Sequence, residues 1–273
     1  MFVPDTGRRF GFCMGALCAS LWLAALWAAS AQGATEYRIT PSADTTIYAE
    51  QSGGSAYDAI SDGSGPNLWT AVIVAGVTRR ALLRFDLSAI PPGSRVLSAR
   101  VELFVVRARD EHATSLHRVL AAWGEGGSNG GDAGVGAPAQ FGDATWSHRI
   151  WPQQPWAQRG GDFISSSSAS RLVGFGPASY AWDSTPQLVA DVQGWLIQPA
   201  ANHGWIVIGD DDGLQNAKRL ISRNSDTDVG RPLLIVSVEP PPPDNVQRVP
   251  LPAWALALLG AGMAAVIVRR RRR

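Results

Sequence analysis

Short segments of alternating side chains are the feature of this chain that most constrains its fold. Over residues 81–87, every second side chain can face a core while the others face the opposite side, and Pro91, Pro92 and Gly93 then supply turn chemistry. Short segments bounded by Gly, Pro, Asn or Asp predict an all-β domain over residues 35–239, folded as a β-sandwich or jelly roll. Further strands are predicted at residues 45–49, 70–74, 101–106, 115–121, 179–183, 205–209, 219–222 and 233–238.

One segment departs from this pattern and predicts a single short helix that closes an end of the sandwich. Thr185 is a suitable N-cap, and Pro186 suits the first helical position. Leu188, Val192 and Trp195 then follow helical spacing. Residues 124–142 hold eight glycines and predict a long, mobile loop, and residues 165–170 predict a second flexible stretch.

A series of motifs in a fixed order resembles the DNRLRE domain family. The motifs are Asp44-Thr45-Thr46-Ile47-Tyr48, the run over residues 79–88, Trp123-Gly124-Glu125-Gly126, Thr145-Trp146 and Ser222-Arg223. The resemblance covers residues 35–239 and implies a β-sandwich similar to carbohydrate-binding modules in secreted or surface proteins. The glycine-rich insert between Glu125 and Thr145 departs from the family pattern, so loop-borne sites transfer least.

The amino terminus predicts export. Arg8 and Arg9 precede an apolar stretch over residues 10–28, and Ala29-Ser30-Ala31 is a suitable cleavage site. Residues 1–31 are therefore interpreted as a signal peptide, with an uncleaved signal anchor as the alternative. Both cysteines, Cys13 and Cys18, lie inside it, so the exported part would have neither a disulfide nor a thiol nucleophile.

The carboxyl terminus predicts a membrane segment. Residues 240–249 form a proline-rich linker, and residues 250–273 combine an apolar run with five final arginines, which is typical of a transmembrane helix whose charged end stays in the cytoplasm. This layout resembles the PEP-CTERM and IPTL-CTERM sorting tails of Gram-negative bacteria, although Val249-Pro250-Leu251-Pro252 matches neither motif fully. The resemblance implies an exosortase-type sorting protease as a partner, and either anchoring in the inner membrane or delivery to the cell surface or extracellular space.

Charge disfavours nucleic acid as a partner. Without the two targeting segments, the chain keeps 17 of 24 basic and 22 of 23 acidic residues, a net charge of −5. An acidic domain without a basic block is atypical of nucleic-acid binding. It also weakly disfavours polyanionic glycans, although a local patch could override the total.

Two clusters predict ligand sites. Trp151 and Trp156 lie in a polar loop bounded by prolines, and their rings could stack on sugar faces, with packing in a core as the alternative. Asp210, Asp211 and Asp212 follow a predicted strand, and clustered carboxylates suit Ca²⁺, with a solvated acidic turn as the alternative.

No catalytic residue is assigned. Asp143, Ser147 and His148 are the right types for a triad, but close neighbours in sequence rarely converge as one. Arg79, Arg80, Arg84 and Arg100 are expected to form salt bridges on strand faces. The sequence thus predicts a non-catalytic surface protein that binds or organises polysaccharide. A scaffold or adhesin without glycan binding, and a polysaccharide-degrading enzyme, are the alternatives.

Overall fold

The computed structural model describes residues 33–242 except Val74 and Leu214. These residues form an all-β domain with a large antiparallel sheet and one α-helix. The strands are β1 (Thr35–Ile39), β2 (Pro41–Glu50), β3 (Ile60–Ser61), β4 (Asn67–Val72), β5 (Val77–Phe85), β6 (Arg95–Ala108), β7 (His112–Arg118), β8 (Ala137–Pro138), β9 (His148–Ile150), β10 (Gln154–Pro155), β11 (Ala169–Val173), β12 (Ala178–Trp182), β13 (Trp205–Ile208), β14 (Lys218–Ile221) and β15 (Leu233–Glu239). The helix α1 spans Pro186–Ile197, and a 3₁₀ turn follows at Pro199–Ala201.

Strand β4 joins two arms of the large sheet. Its first four residues pair with β14, and its last two pair with β5. The first arm holds β6 at its centre, paired with β12, β14 and β15, and β1 pairs with β15. The second arm runs from β2 through β5, β13 and β7 to β11. The partner changes at Ala71, whose φ of +64° lies in the left-handed region.

The main core contains side chains from both arms. Val101 and Leu103 of β6 and Leu83 of β5 belong to one cluster of buried residues, together with Trp195 of α1 and Trp205 of β13. The Trp195 and Trp205 ring centroids lie 4.5 Å apart in an edge-to-face arrangement, which suits the opposite charges of ring face and ring edge. The domain is therefore stabilised chiefly by apolar contact between the two arms.

A second core covers the opposite face of the second arm. Leu82 and Ile206 point away from the main core and pack with Val119, Trp123 and Trp156. The segment that follows β7 therefore lies over this sheet face. The alternation in β5 predicted that one set of side chains faces a core. The other set was predicted to face either solvent or a second layer, and in the structure it faces a second layer.

The helix forms as the sequence predicts. Thr185 Oγ1 accepts a hydrogen bond of 3.0 Å from the Leu188 amide, and Leu188, Val192 and Trp195 are buried. Asp191 is also buried, and its carboxylate accepts hydrogen bonds from Ser168 and from Nε1 of Trp205. An amphipathic helix with one carboxylate on its inner face is thereby fixed to the sheet.

The two segments predicted to be flexible are held by specific contacts. Within residues 124–142, Asp62 accepts a hydrogen bond of 2.8 Å from the Gly130 amide, and Asp143 accepts one of 2.6 Å from the Gln140 amide. Within residues 165–170, the buried Ser168 bonds to Asp191. Local composition predicted mobility, but one nearby carboxylate, Asp143, and two distant ones, Asp62 and Asp191, satisfy these backbone and hydroxyl groups.

The predicted termini lie outside the described part of the chain. The signal peptide over residues 1–31 and the membrane segment over residues 250–273 both fall there, as does most of the linker. Over residues 33–242, without Val74 and Leu214, no helix is long and apolar enough to span a bilayer.

Candidate functional site

The two tryptophans predicted to bind sugar lie in different surroundings. Trp156 is only 5% exposed, belongs to the second core, and donates a hydrogen bond of 2.9 Å from Nε1 to the Thr145 carbonyl. Trp151 is half-buried, and its ring stands edge-on to the His148 imidazole with centroids 4.8 Å apart. The pair does not form a two-ring stacking surface, because the Trp156 ring lies in the interior.

The three aspartates predicted to bind calcium point to different partners. Asp210 Oδ1 accepts hydrogen bonds from the amides of Asp212 and Gly213. Asp211 forms a 2.8 Å ion pair with Arg80, and Asp212 is exposed. Within the described residues, no group of three or more His, Cys, Asp or Glu is arranged to hold a metal ion. Calcium binding therefore stays a prediction without an assembled set of carboxylates here.

The pKa values of these aspartates reflect their separate contacts. Burial raises the pKa of Asp210, but the hydrogen bonds from the Gly213 and Asp212 amides outweigh it, so the pKa lies below its ordinary value. Burial raises the pKa of Asp211 above its ordinary value, although Arg80 acts in the opposite direction.

The serine, histidine and aspartate considered as a triad do not assemble as one. Ser147 Oγ lies 2.9 Å from Nδ1 of His148, but the Asp143 carboxylate accepts backbone amide hydrogens of Ser128 and Gln140 instead. Without a carboxylate to orient the imidazole, these residues lack the arrangement that activates a nucleophile.

The four arginines expected to form salt bridges differ in their partners. Arg80 pairs with Asp211 and Arg100 with Glu102, as predicted. Arg84 instead stacks on Trp123, with 5.3 Å between the guanidinium carbon and the ring centroid. Arg79 is the exception, and it lines a cleft between β4, β5 and β14.

This cleft, named the arginine cleft, has a volume of about 560 Å³. The ring of Trp69 lies in its wall, with the guanidinium carbons of Arg79 and Arg219 at 4.9 and 5.7 Å from the ring centroid. Its charged lining residues are Arg79, Arg107, Arg109, Arg219 and Asp132, and its apolar ones include Ile73, Ala75, Ala133, Val135 and Ala217. Four guanidinium groups and one carboxylate give the lining a net charge of +3.

Arg79 is the most unusual group in the arginine cleft. Its side chain is 2% exposed, and its Nε and Nη1 atoms are buried without a hydrogen-bond partner among the described residues. Burial lowers the pKa of Arg79 from its ordinary value, while the neighbouring Tyr48 acts in the opposite direction. An unsatisfied buried donor costs about 1–3 kcal/mol, and more when it is charged. The guanidinium lies over the Trp69 and Tyr48 rings, with its central carbon 4.9 and 6.0 Å from their centroids, and adds positive charge to the cleft wall.

The sequence pattern of β5 indicated that Arg79 faces the core, and the predicted salt bridge did not take this into account. Arg79 shares a strand face with Ala81, Leu83 and Phe85, all of which are buried in the main core. A charged residue in register with a core face is rarely buried unless it is paired. Adjacent Arg80 lies on the other face, where Asp211 satisfies it.

No model of a protein family matches this chain, and no curated protein matches it. The resemblances to the DNRLRE domain and to the sorting tails stay predictions from sequence motifs. The arginine cleft is therefore the main structural basis for a proposed function.

Proposed function

We propose that this protein is a non-catalytic surface protein whose β-domain binds an acidic polysaccharide in the arginine cleft. The observation that carries the proposal is the cluster of four arginines, Arg79, Arg107, Arg109 and Arg219, that lines one cleft. A carboxylate or sulfate oxygen on a ligand would accept hydrogen bonds from the exposed Arg107 and Arg109, and the buried Arg79 would add positive charge behind them. Hydrogen bonds between charged groups are stronger than neutral ones, particularly where water is excluded.

The depth and spread of the positive charge favour a ligand with several anionic groups. Arg79 lies deep, whereas Arg107 and Arg109 are exposed. A single small anion could pair with one exposed arginine but would leave the other without a partner. A chain of acidic sugars offers repeated charged groups together with apolar ring faces that can contact Ile73, Ala75 and the indole of Trp69.

The remaining parts of the proposal rest on the sequence. The resemblance to the DNRLRE family supports a sandwich of the carbohydrate-binding type, and the antiparallel arms with a shared core are compatible with it. The predicted signal peptide and sorting tail support a location outside the cytoplasm, where acidic polysaccharides are abundant. We propose no calcium-dependent step, because Asp210, Asp211 and Asp212 already have separate contacts or face solvent.

Titration calorimetry of the purified protein with tetragalacturonate and with maltotetraose tests the proposal. We expect the acidic oligosaccharide to bind and the neutral one to give no measurable heat. Arg79→Met should weaken binding at least tenfold, because it removes the buried positive charge beside Trp69 while keeping a side chain of similar length. A sulfated oligosaccharide and inorganic phosphate serve as further probes and separate sugar recognition from general affinity for anions.

Two further variants keep the test interpretable if Arg79→Met is poorly folded. Replacing both exposed arginines, Arg107→Gln with Arg109→Gln, should weaken binding severalfold without affecting the core. Arg95→Gln is the matched control, because Arg95 is exposed and pairs with Glu239 outside the cleft. Equal binding of the neutral sugar, or unchanged affinity in both cleft variants, would contradict the proposal. No binding of any probe by folded protein would favour the scaffold alternative.

A further inference from the structure

Residues 129–136 of the glycine-rich insert, named the strap, form one wall of the arginine cleft. Asp132, Ala133 and Val135 line the cleft from this segment. Gly134 has a φ of +68°, and a Cβ atom there would fall 2.6 Å from two ring carbons of Trp69. Only glycine allows the strap to lie this close to the indole.

The strap places a carboxylate of the protein itself on the cleft arginines. Asp132 accepts hydrogen bonds from Arg219 and from Nδ2 of Asn67, the latter at 2.7 Å. Arg219 in turn donates a 2.8 Å hydrogen bond from Nε to Asn67 Oδ1. Asp132 is the acidic residue among the charged lining groups, and it offers Arg219 the same chemistry as a carboxylate of the proposed ligand.

The contact between Asp132 and Arg219 is suited to exchange. The Asp132 side chain is 72% exposed and that of Arg219 is 27% exposed, so solvent screens this ion pair more than it would a buried one. Gly131, Gly134 and Gly136 all have positive φ, a conformation that glycine adopts without strain. Breaking the pair therefore requires little free energy, in contrast to the buried surroundings of Arg79.

We infer that Asp132 is an internal competitor, which an acidic ligand displaces from Arg219 when it enters the arginine cleft. The inference rests on the proposed function and adds a residue that sets its affinity and selectivity. Removing the negative charge leaves Arg219 free for the ligand and lowers repulsion at the cleft wall. A carboxylate that merely held the wall in place would have the opposite effect, since its loss would loosen the site.

Calorimetric titration of tetragalacturonate into wild-type protein, Asp132→Asn and Asp226→Asn tests the inference. We expect Asp132→Asn to bind about three to ten times more tightly than the wild type. Asp226→Asn is the matched control, because it removes the same charge from an exposed residue that does not line the cleft. Asp132→Glu, which keeps the carboxylate, should bind within about twofold of the wild type.

The outcomes separate this inference from the proposed function. Equal or weaker binding by Asp132→Asn, with clear binding by the wild type, would overturn the competitor role and leave the acidic-glycan function standing. An equal gain in Asp226→Asn would assign the effect to overall charge and would also overturn it. Binding by Asp132→Asn alone would support it strongly, and no binding by any variant would overturn both. Hydrogen exchange supplies a second readout, because saturating ligand should increase exchange at the amides of the strap.

Discussion

Asp44 and Arg79 are buried ionisable residues of this domain with contrasting surroundings. Asp44 accepts hydrogen bonds from the Ser222 hydroxyl and the Arg223 amide. Its own amide donates to Glu125, which also forms an ion pair with the Arg223 guanidinium. This network joins β2 to the segments around Glu125 and Arg223. Arg79 is equally buried, but its Nε and Nη1 atoms have no hydrogen-bond partner among the described residues, and its guanidinium lies over the Trp69 ring.

Arg79→Met should leave the free energy of unfolding unchanged or raise it by up to about 2 kcal/mol. The substitution removes a charged group with unsatisfied donors from the interior and keeps most of the side-chain volume. Its contact with the Trp69 ring is the opposing contribution, worth about 1–2 kcal/mol. Urea denaturation of the free protein measures the change. A loss above about 2 kcal/mol would show that Arg79 supports the fold rather than a ligand.

Asp44 should make stability fall as the pH rises from about 4 to 7. Burial raises the pKa of Asp44 from 3.8 to about 7 in the folded protein, against the opposing hydrogen bonds from Arg223 and Ser222. Between these values the folded protein keeps a proton that the unfolded chain loses, so the contribution is complete below pH 4 and is lost as pH approaches 7.

The measurement compares wild-type protein with Asp44→Asn by urea denaturation at several pH values. The difference between their free energies of unfolding should decrease by roughly 3–5 kcal/mol over this range. Taking the difference cancels the other groups that titrate in both proteins. Two parallel curves would show that Asp44 has an ordinary pKa in the folded state.

At the scale of elements, the segment between β7 and β11 packs over one face of the second arm and forms the second core with it. Trp123 donates from Nε1 to the His203 carbonyl at 2.8 Å, and Trp156 donates to the Thr145 carbonyl. Each indole thus combines a buried ring with a satisfied polar atom. The same segment continues into the strap, so the second core supports one wall of the arginine cleft.

Trp156→Ala and Trp151→Ala should therefore have unequal effects. Deleting the buried Trp156 ring should lower the free energy of unfolding by about 3–5 kcal/mol, because a cavity forms in the second core. Trp151→Ala should lower it by about 1 kcal/mol or less, since that ring is half-buried. Thermal and urea denaturation measure both. A glycan-binding defect in Trp151→Ala with unchanged stability would instead support the sugar contact predicted at that residue.

At the scale of the whole molecule, positive charge is concentrated against an acidic background. The chain without the two predicted targeting segments carries a net charge of −5, whereas the charged residues lining the arginine cleft sum to +3. Such local contrast guides an anionic ligand to one place and repels it elsewhere. The total charge alone weakly disfavours polyanionic glycans, and this local patch is the reason for proposing an acidic ligand.

Binding of tetragalacturonate should accordingly weaken as salt is added. The screening length falls from about 10 Å at 0.1 M salt to about 3 Å at 1 M, so the exposed Arg107 and Arg109 should lose much of their contribution. The buried Arg79 is screened less, and binding should weaken without vanishing. Calorimetry between about 0.05 M and about 0.5 M salt measures how steeply the affinity falls with salt concentration. An affinity independent of salt would contradict the electrostatic role of the cleft.

The amino-acid sequence by itself determined the all-β class and the position of α1. Both depend on local chemistry, namely alternating side chains between turn residues, and a threonine cap followed by proline. Tertiary structure decided which groups meet. It placed Trp156 in a core, separated Asp210, Asp211 and Asp212, and brought Trp69, Arg79 and Asp132 to one cleft from distant segments. Local sequence determines which backbone conformation each residue favours. A site depends instead on contacts between residues far apart in the chain, and only packing brings those residues together.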